Sequence, residues 1–224
     1  MIQTLKLRIP PLENGDRLSR EEFERRYEAM PHVKKAELIE GVVHMPSPVS
    51  QRDHSGPHFR FNGWLAFYES HTPGVEGGDN GSIRLDLDNE PQPDGFLRYI
   101  LGGRSRIDDD GYVIGSPELA AEVAASSVSI DLGPKLNVYR RNGVQEYIVW
   151  RVLDQAIDWF VLRGSQFEPL AKSPEGWLKS EVCPGLWLDP AAMIRGDRAE
   201  VLRVAQLGVA SAEHAAFVSR LRQS

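Results

Sequence analysis

The chain predicts a mixed α/β domain built around one sheet, and three observations carry that expectation. Apolar positions switch between helical spacing and strand alternation in the order helix, hairpin, helix, strands, helix, strands. Two mostly apolar runs, 119–125 and 146–150, have the length of buried central strands. From about Pro190 the pattern returns to helix and stays there. The 224 residues suit one large domain that can bury a core without disulfides. Cys183 is the single cysteine, which excludes a disulfide framework and a multi-cysteine zinc site.

Each element has a local reason. Residues 1–17 read as an extended lead-in, broken by Pro10-Pro11 and Asn14-Gly15. Ser19 and Glu22 make a capping box ahead of Phe23, Tyr27 and Met30, which predicts a helix ending at Pro31. Residues 36–45 predict a hairpin hinged at Glu40-Gly41. From Ser50 or Asp53 to Glu69 the spacing predicts a long helix, with Phe59, Trp64, Leu65 and Phe67 inward and Gly56-Pro57 in its first turn. Val75, residues 83–87 and the stretch opened by Pro93-Asp94 read as strands. Residues 102–111 are turn-rich and include the hairpin signal Asp110-Gly111. After the strand at 119–125, a helix over 130–141 stops at Asn142-Gly143. A buried strand at 146–150 follows, then a hairpin of 156–162 and 167–170 across Arg163-Gly164. Residues 186–188 are strand-like, and an amphipathic helix over 211–221 ends the helical segment. The expected organisation is a lead-in over 1–17, a core domain over 18–190 and a helical extension over 191–224.

Charge and hydropathy narrow the function classes. Lys plus Arg number 26 against 32 for Asp plus Glu, a net charge of −6. That argues against a protein that coats nucleic acid broadly, because phosphate binding leaves a basic footprint. A local groove stays open, with Lys34, Lys35, Arg52, Arg60, Arg98, Arg104, Arg106, Arg140 and Arg141 available for it. No stretch is apolar for long enough to span a bilayer and no signal-peptide core is visible, so the expected compartment is the cytoplasm.

Asp94 and Glu122 are the residues that ask for a chemical reason. Asp94 alone suits a strand entry after Pro93. Glu122, however, interrupts an apolar run, and a carboxylate there is costly unless paired or holding a metal. Two neighbouring strands would bring the two acids to one side, and paired hard oxygens suit Mg²⁺ or Mn²⁺. Lys135 falls early in the next helix, one turn after Asp131 and one turn before Tyr139. Glu37 and Glu40 both lie in the early hairpin, and Glu40 is the preferred candidate of the two. His54 opens a helix and is kept as a substrate-groove candidate. Asp108-Asp109-Asp110-Gly111 lacks the alternating ligands of a calcium loop and reads as a solvated turn. Glu118, after Pro117, mimics an acidic motif but precedes the strand. No phosphate-cradling glycine loop or nucleophile elbow is present.

Taken in order, several motifs resemble a known family. They are Glu37-Leu38-Ile39-Glu40-Gly41, His54, Pro93-Asp94, Pro117-Glu118-Leu119 running to Glu122-Val123, Asp131-Leu132-Gly133-Pro134-Lys135-Leu136, Tyr139, Gly143-Val144 and Glu146-Tyr147. Over roughly 18–190 this set resembles the Uma-type restriction endonucleases, bacterial members of the PD-(D/E)xK nuclease-like superfamily. The resemblance implies a restriction-endonuclease-like core and a Mg²⁺- or Mn²⁺-dependent endonuclease that hydrolyses DNA with a metal-activated water. It implies Asp94 and Glu122 as metal ligands, the Val123 carbonyl as an extra ligand and Glu40 as the acid from the hairpin. Tyr139 joins His54 at the expected substrate groove, and a homodimer is expected. The superfamily places a lysine two residues after the second acid, where this chain has Ala124. By the resemblance Lys135 takes over that lysine's part. The alternative reading is a catalytically inactive nuclease fold that binds nucleic acid or protein.

Overall fold

The computed structural model describes residues 9–45 and 50–223. Of the predicted lead-in, residues 1–8 lie outside the described residues. The Ser19 hydroxyl accepts the Glu22 amide and starts α1 (Arg20–Glu28). Phe23 of α1 packs with Leu12, Ala36, Leu38 and Val43 in a small core beneath the hairpin of β1 (Glu37–Ile39) and β2 (Val42–His44). That hairpin turns at Glu40 (φ 53°) and Gly41 (φ 71°), both left-handed, as a type I′ turn requires.

A π-helical turn, Gln51–Ser55, leads into α2 (Gly56–His71). The buried face of α2 carries Phe61, Trp64, Leu65 and Tyr68. Phe59, expected inward, is 76% exposed. It lies two residues from Phe61, about 200° around the helix, so the two cannot share a face.

Next come β3 (Val75–Gly78), β4 (Ile83–Arg84) and β5 (Gly95–Tyr99). The strand expected over 83–87 stops at Arg84, because the chain folds back to pair Asp86 with Asn89. A hairpin of β6 (Ser105–Ile107) and β7 (Val113–Gly115) precedes β8 (Leu119–Ala124). The crossover consists of α3 (Val128–Ile130), a second π-helical turn (Asp131–Lys135) and α4 (Leu136–Arg141). It returns the chain to β9 (Glu146–Arg151), parallel to β8. Then follow β10 (Ala156–Arg163), β11 (Gln166–Pro169), β12 (Leu178–Lys179) and β13 (Trp187–Leu188). The helices α5 (Pro190–Arg195), α6 (Arg198–Val209) and α7 (Ala212–Leu221) end the chain.

The main sheet has the order β11-β10-β9-β8-β5-β3, with β8 and β9 its parallel pair. On one face, Ala121, Val123, Trp150 and Trp159 meet α2 and residues of the last three helices, including Met193, Val201 and Phe217. On the other face, Ala120, Ala124 and Val149 pack under the crossover with Tyr139 and Tyr147. Side chains alternate along a strand, so Glu122 shares the crossover face with Ala120 and Ala124. The fold thus aims this carboxylate at the helix that carries Lys135. Among the described residues, no helix is long and apolar enough to cross a membrane.

Candidate functional site

Asp94 lies one residue before β5, and Gly95 pairs with Ala121 of β8, one residue from Glu122. This register brings the two acids predicted from sequence to one cavity of about 520 Å³. Helix α2 fixes the Asp94 backbone: His58 Nε2 and Asn62 Nδ2 donate to the Asp94 carbonyl at 2.9 and 2.7 Å. A side chain at the next position would have to push aside Asn62, which holds the Asp94 carbonyl. A Cβ on Gly95 would stand 2.6 Å from Asn62 Oδ1 and 2.8 Å from Leu65 Cδ1.

The Asp94 carboxylate is surrounded by partners that favour its charged form. The Val123 amide donates to Oδ2 at 2.9 Å, Lys35 Nζ donates to Oδ1 at 3.2 Å, and His54 Nε2 lies 3.4 Å from Oδ2. Burial alone would raise this carboxyl. The His54 hydrogen bond, the Lys35 charge and the Val123 amide outweigh burial and hold it well below the usual carboxylate range.

Glu122 is 2% exposed. Its Oε1 accepts from Lys135 Nζ at 3.0 Å and from the Tyr139 hydroxyl at 3.1 Å. Burial raises the Glu122 carboxyl well above its ordinary value, Lys135 opposes the rise, and Asp131, Asp94 and Glu37 reinforce it. Lys135 is itself buried and stands 2.9 Å from Glu37 Oε1 and 3.5 Å from Asp131 Oδ1. Burial would lower its pKa, but Glu122, Glu37 and Asp131 raise it well above the usual lysine range, so it stays an ammonium. A kink in the crossover allows this convergence. Gly133 (φ −111°, ψ −106°) and Pro134 interrupt regular helix between Asp131 and Lys135.

Two candidates sit elsewhere than the sequence predicts. Glu40 does not reach the cavity: it occupies the hairpin tip, half exposed, and pairs with Arg141 at 2.7 Å. Glu37, three residues earlier and buried, supplies the hairpin's acid to the cluster, and its Oε1 also accepts the Gln92 amide at 2.7 Å. The Glu-Gly turn signal was the clue, because a residue at the tip of a type I′ turn points away from the strands' buried face. Tyr139 is fully buried behind Glu122 and lines no groove. His54 does line the cavity.

From sequence, Lys35 stood only as one of many groove bases and Asp131 only as a matter of spacing; the fold brings both to the cavity. The other basic candidates do not converge there. Arg98 is buried against Glu76 and Ser105, Arg104 and Arg140 bond the carbonyls of Gly143 and Ser165, and Arg60 lies 5.8 Å over Trp150. Glu118 accepts the amides of Tyr99 and Arg104 at 2.8 and 3.2 Å, a structural role.

The donor set fits a hard divalent ion with open coordination positions. Among the described residues, no three His, Cys, Asp or Glu side chains converge closely enough to cage an ion by themselves. Mg²⁺ commonly takes only one or two carboxylates and completes its shell with water and phosphate. The Val123 N–H faces Asp94, and a strand residue's N–H and C=O point to the same edge, which puts the Val123 carbonyl on the Asp94 side.

No curated protein matches the chain in sequence. A crystal structure from Anabaena variabilis ATCC 29413, described as "a putative nuclease belonging to DUF820", is similar in fold. Its TM-score is 0.59 at 14% identity, over 76% of this chain and 96% of that one. The model of the Uma2 family, described as "Putative restriction endonuclease", matches residues 20–191, and the chain therefore belongs to that family.

Proposed function

We propose that the chain is a divalent-metal-dependent endonuclease that hydrolyses DNA phosphodiester bonds. One observation carries this reading. Four buried carboxylates, Glu37, Asp94, Glu122 and Asp131, share the cavity with two lysines, Lys35 and Lys135, so acids outnumber ammonium groups there. A divalent cation would find the hard oxygen ligands it needs among them. Asp94, Glu122 and the Val123 carbonyl would hold Mg²⁺ or Mn²⁺. When bound, such an ion polarises a phosphate and acidifies a water.

The chain's own residues prepare that chemistry. Asp94 is kept ionised by its partners. Both hydrogen bonds to Glu122 fall on Oε1, which leaves Oε2 for an incoming ligand. Lys135 holds Glu37, Glu122 and Asp131 in register, and Tyr139 fixes the Glu122 rotamer from behind. A homodimer in the cytoplasm belongs to the same reading, and a sizing column that returns a monomer would remove the dimer from it.

The deciding experiment incubates purified protein with supercoiled, linear and single-stranded DNA in Mg²⁺ or Mn²⁺. Cleavage is expected with the wild type and lost in Asp94→Ala and Glu122→Ala. If the wild type leaves every DNA intact with both metals, the nuclease reading is withdrawn. Ala124 favours a second reading, because it is fully buried where the superfamily carries its lysine. That reading is a nuclease fold that binds nucleic acid or protein without cutting, with affinity indifferent to metal.

A further inference from the structure

We infer that Lys35, not Lys135, is the lysine that meets the scissile phosphate, and that in metal-free protein its ammonium neutralises the Asp94 half of the site. The phosphate contact rests on the nuclease reading; the neutralising role does not.

Burial and charge separate the two lysines. Lys135 Nζ donates to Glu122 and lies 2.9 and 3.5 Å from carboxylate oxygens of Glu37 and Asp131. With its side chain 4% exposed among three carboxylates, Lys135 is walled off from a substrate. Lys35 donates to Asn80 Oδ1 at 2.8 Å and Asp94 Oδ1 at 3.2 Å and pairs, among the described residues, with one carboxylate. Its side chain is 23% exposed and lines the cavity. It stands two residues before Glu37, and both side chains line the same cavity.

Lys35 also stands where a cation is wanted. Its Nζ and the His54 ring crowd Asp94 at 3.2 and 3.4 Å, the carboxylate a divalent ion would share. Two positive charges on one carboxylate repel, so an arriving ion weakens the Lys35–Asp94 pair. The released ammonium, on a flexible four-carbon stem, then finds its next anion in the phosphate the ion attracts. Lys135 cannot make this exchange, because leaving its place would strand three buried carboxylates.

The test uses Lys35→Met and Lys35→Arg in the full chain, each confirmed folded by thermal melting. In Mn²⁺ titrations of the DNA-free protein, Lys35→Met should bind Mn²⁺ about fivefold or more tightly, having lost a competing charge, while Lys35→Arg stays near the wild type. For DNA binding in Ca²⁺, the slope of log affinity against log salt should fall by about 1 in Lys35→Met. Cleavage should drop by about 100-fold in Lys35→Met and recover partly in Lys35→Arg. An unchanged or weaker Mn²⁺ affinity in Lys35→Met overturns the neutralising role. An unchanged salt slope overturns the phosphate contact. A wild type that cuts no DNA removes the nuclease reading, and the Mn²⁺ titration still judges Lys35.

Discussion

Glu122 and Glu146 sit on neighbouring parallel strands, are almost equally buried, and are treated in opposite ways. Glu146 accepts four neutral donors: Ser180 Oγ at 2.7 Å, the amides of Glu181 and Val182 at 2.7 and 3.3 Å, and Trp159 Nε1 at 3.1 Å. Its charge is spread over dipoles that belong to the fold, and it staples the 180–182 segment to the sheet. Glu122 is met by an ammonium and a phenol, with three more carboxylates in the same cluster. That arrangement gathers more carboxylates than ammonium groups beside a cavity. A buried carboxylate therefore does not by itself mark a site; a cluster of them beside open space does.

Substitutions can break this contrast. Glu122→Gln should lower DNA cleavage by about 10³-fold or more, with a melting temperature equal to or above the wild type, because a neutral amide replaces a carboxyl whose charged form burial disfavours. A melting temperature that falls sharply would make Glu122 another staple. Glu146→Ala should do the reverse. It strands four donors, two of them buried, and should lower stability by about 2–4 kcal/mol in denaturant titrations, while the folded fraction keeps its specific activity.

Glu90 is the intermediate case, buried beside Glu24 with Arg84 as its cation. Burial, then the hydrogen bond and charge of Glu24, push its carboxyl up to about 8. The folded chain therefore holds a proton that the unfolded chain releases near 4.5. The stability this contributes is present below about 4.5 and lost as pH rises toward about 8. Melting temperature should decline across that window in the wild type and flatten in Glu90→Gln. The smallest effect is expected at Glu40→Ala, within about 0.5 kcal/mol and without change in cleavage, since its pair with Arg141 is exposed on both sides. A large loss of cleavage there would return Glu40 to the site.

The sheet was legible because β8 and β9 are continuous apolar runs, and Asp94 and Glu122 were legible because acids interrupt that pattern. What was lost in the sequence was direction. Glu37 and Glu40 are equally acidic, and only the turn geometry decides which one faces inward. Tyr139 follows Lys135 by one helical turn, yet whether that turn faces solvent or Glu122 depends on how the crossover lies on the sheet. The π-helical turns at Gln51–Ser55 and Asp131–Lys135 shift side chains by a fraction of a turn that periodicity does not resolve. Lys35 was hidden among many basic residues, because its partner Asp94 is 59 residues away.

The lysine latch across the cluster also sets an order of events during synthesis. Glu37, Asp94 and Glu122 are all made before Lys135, and β8 must wait for β9, its parallel neighbour. A nascent chain that stops ahead of the crossover holds most of the acids, but neither the ammonium that lets them lie together nor the strand that locks β8 in place. The centre therefore closes only after the crossover and β9 have been made.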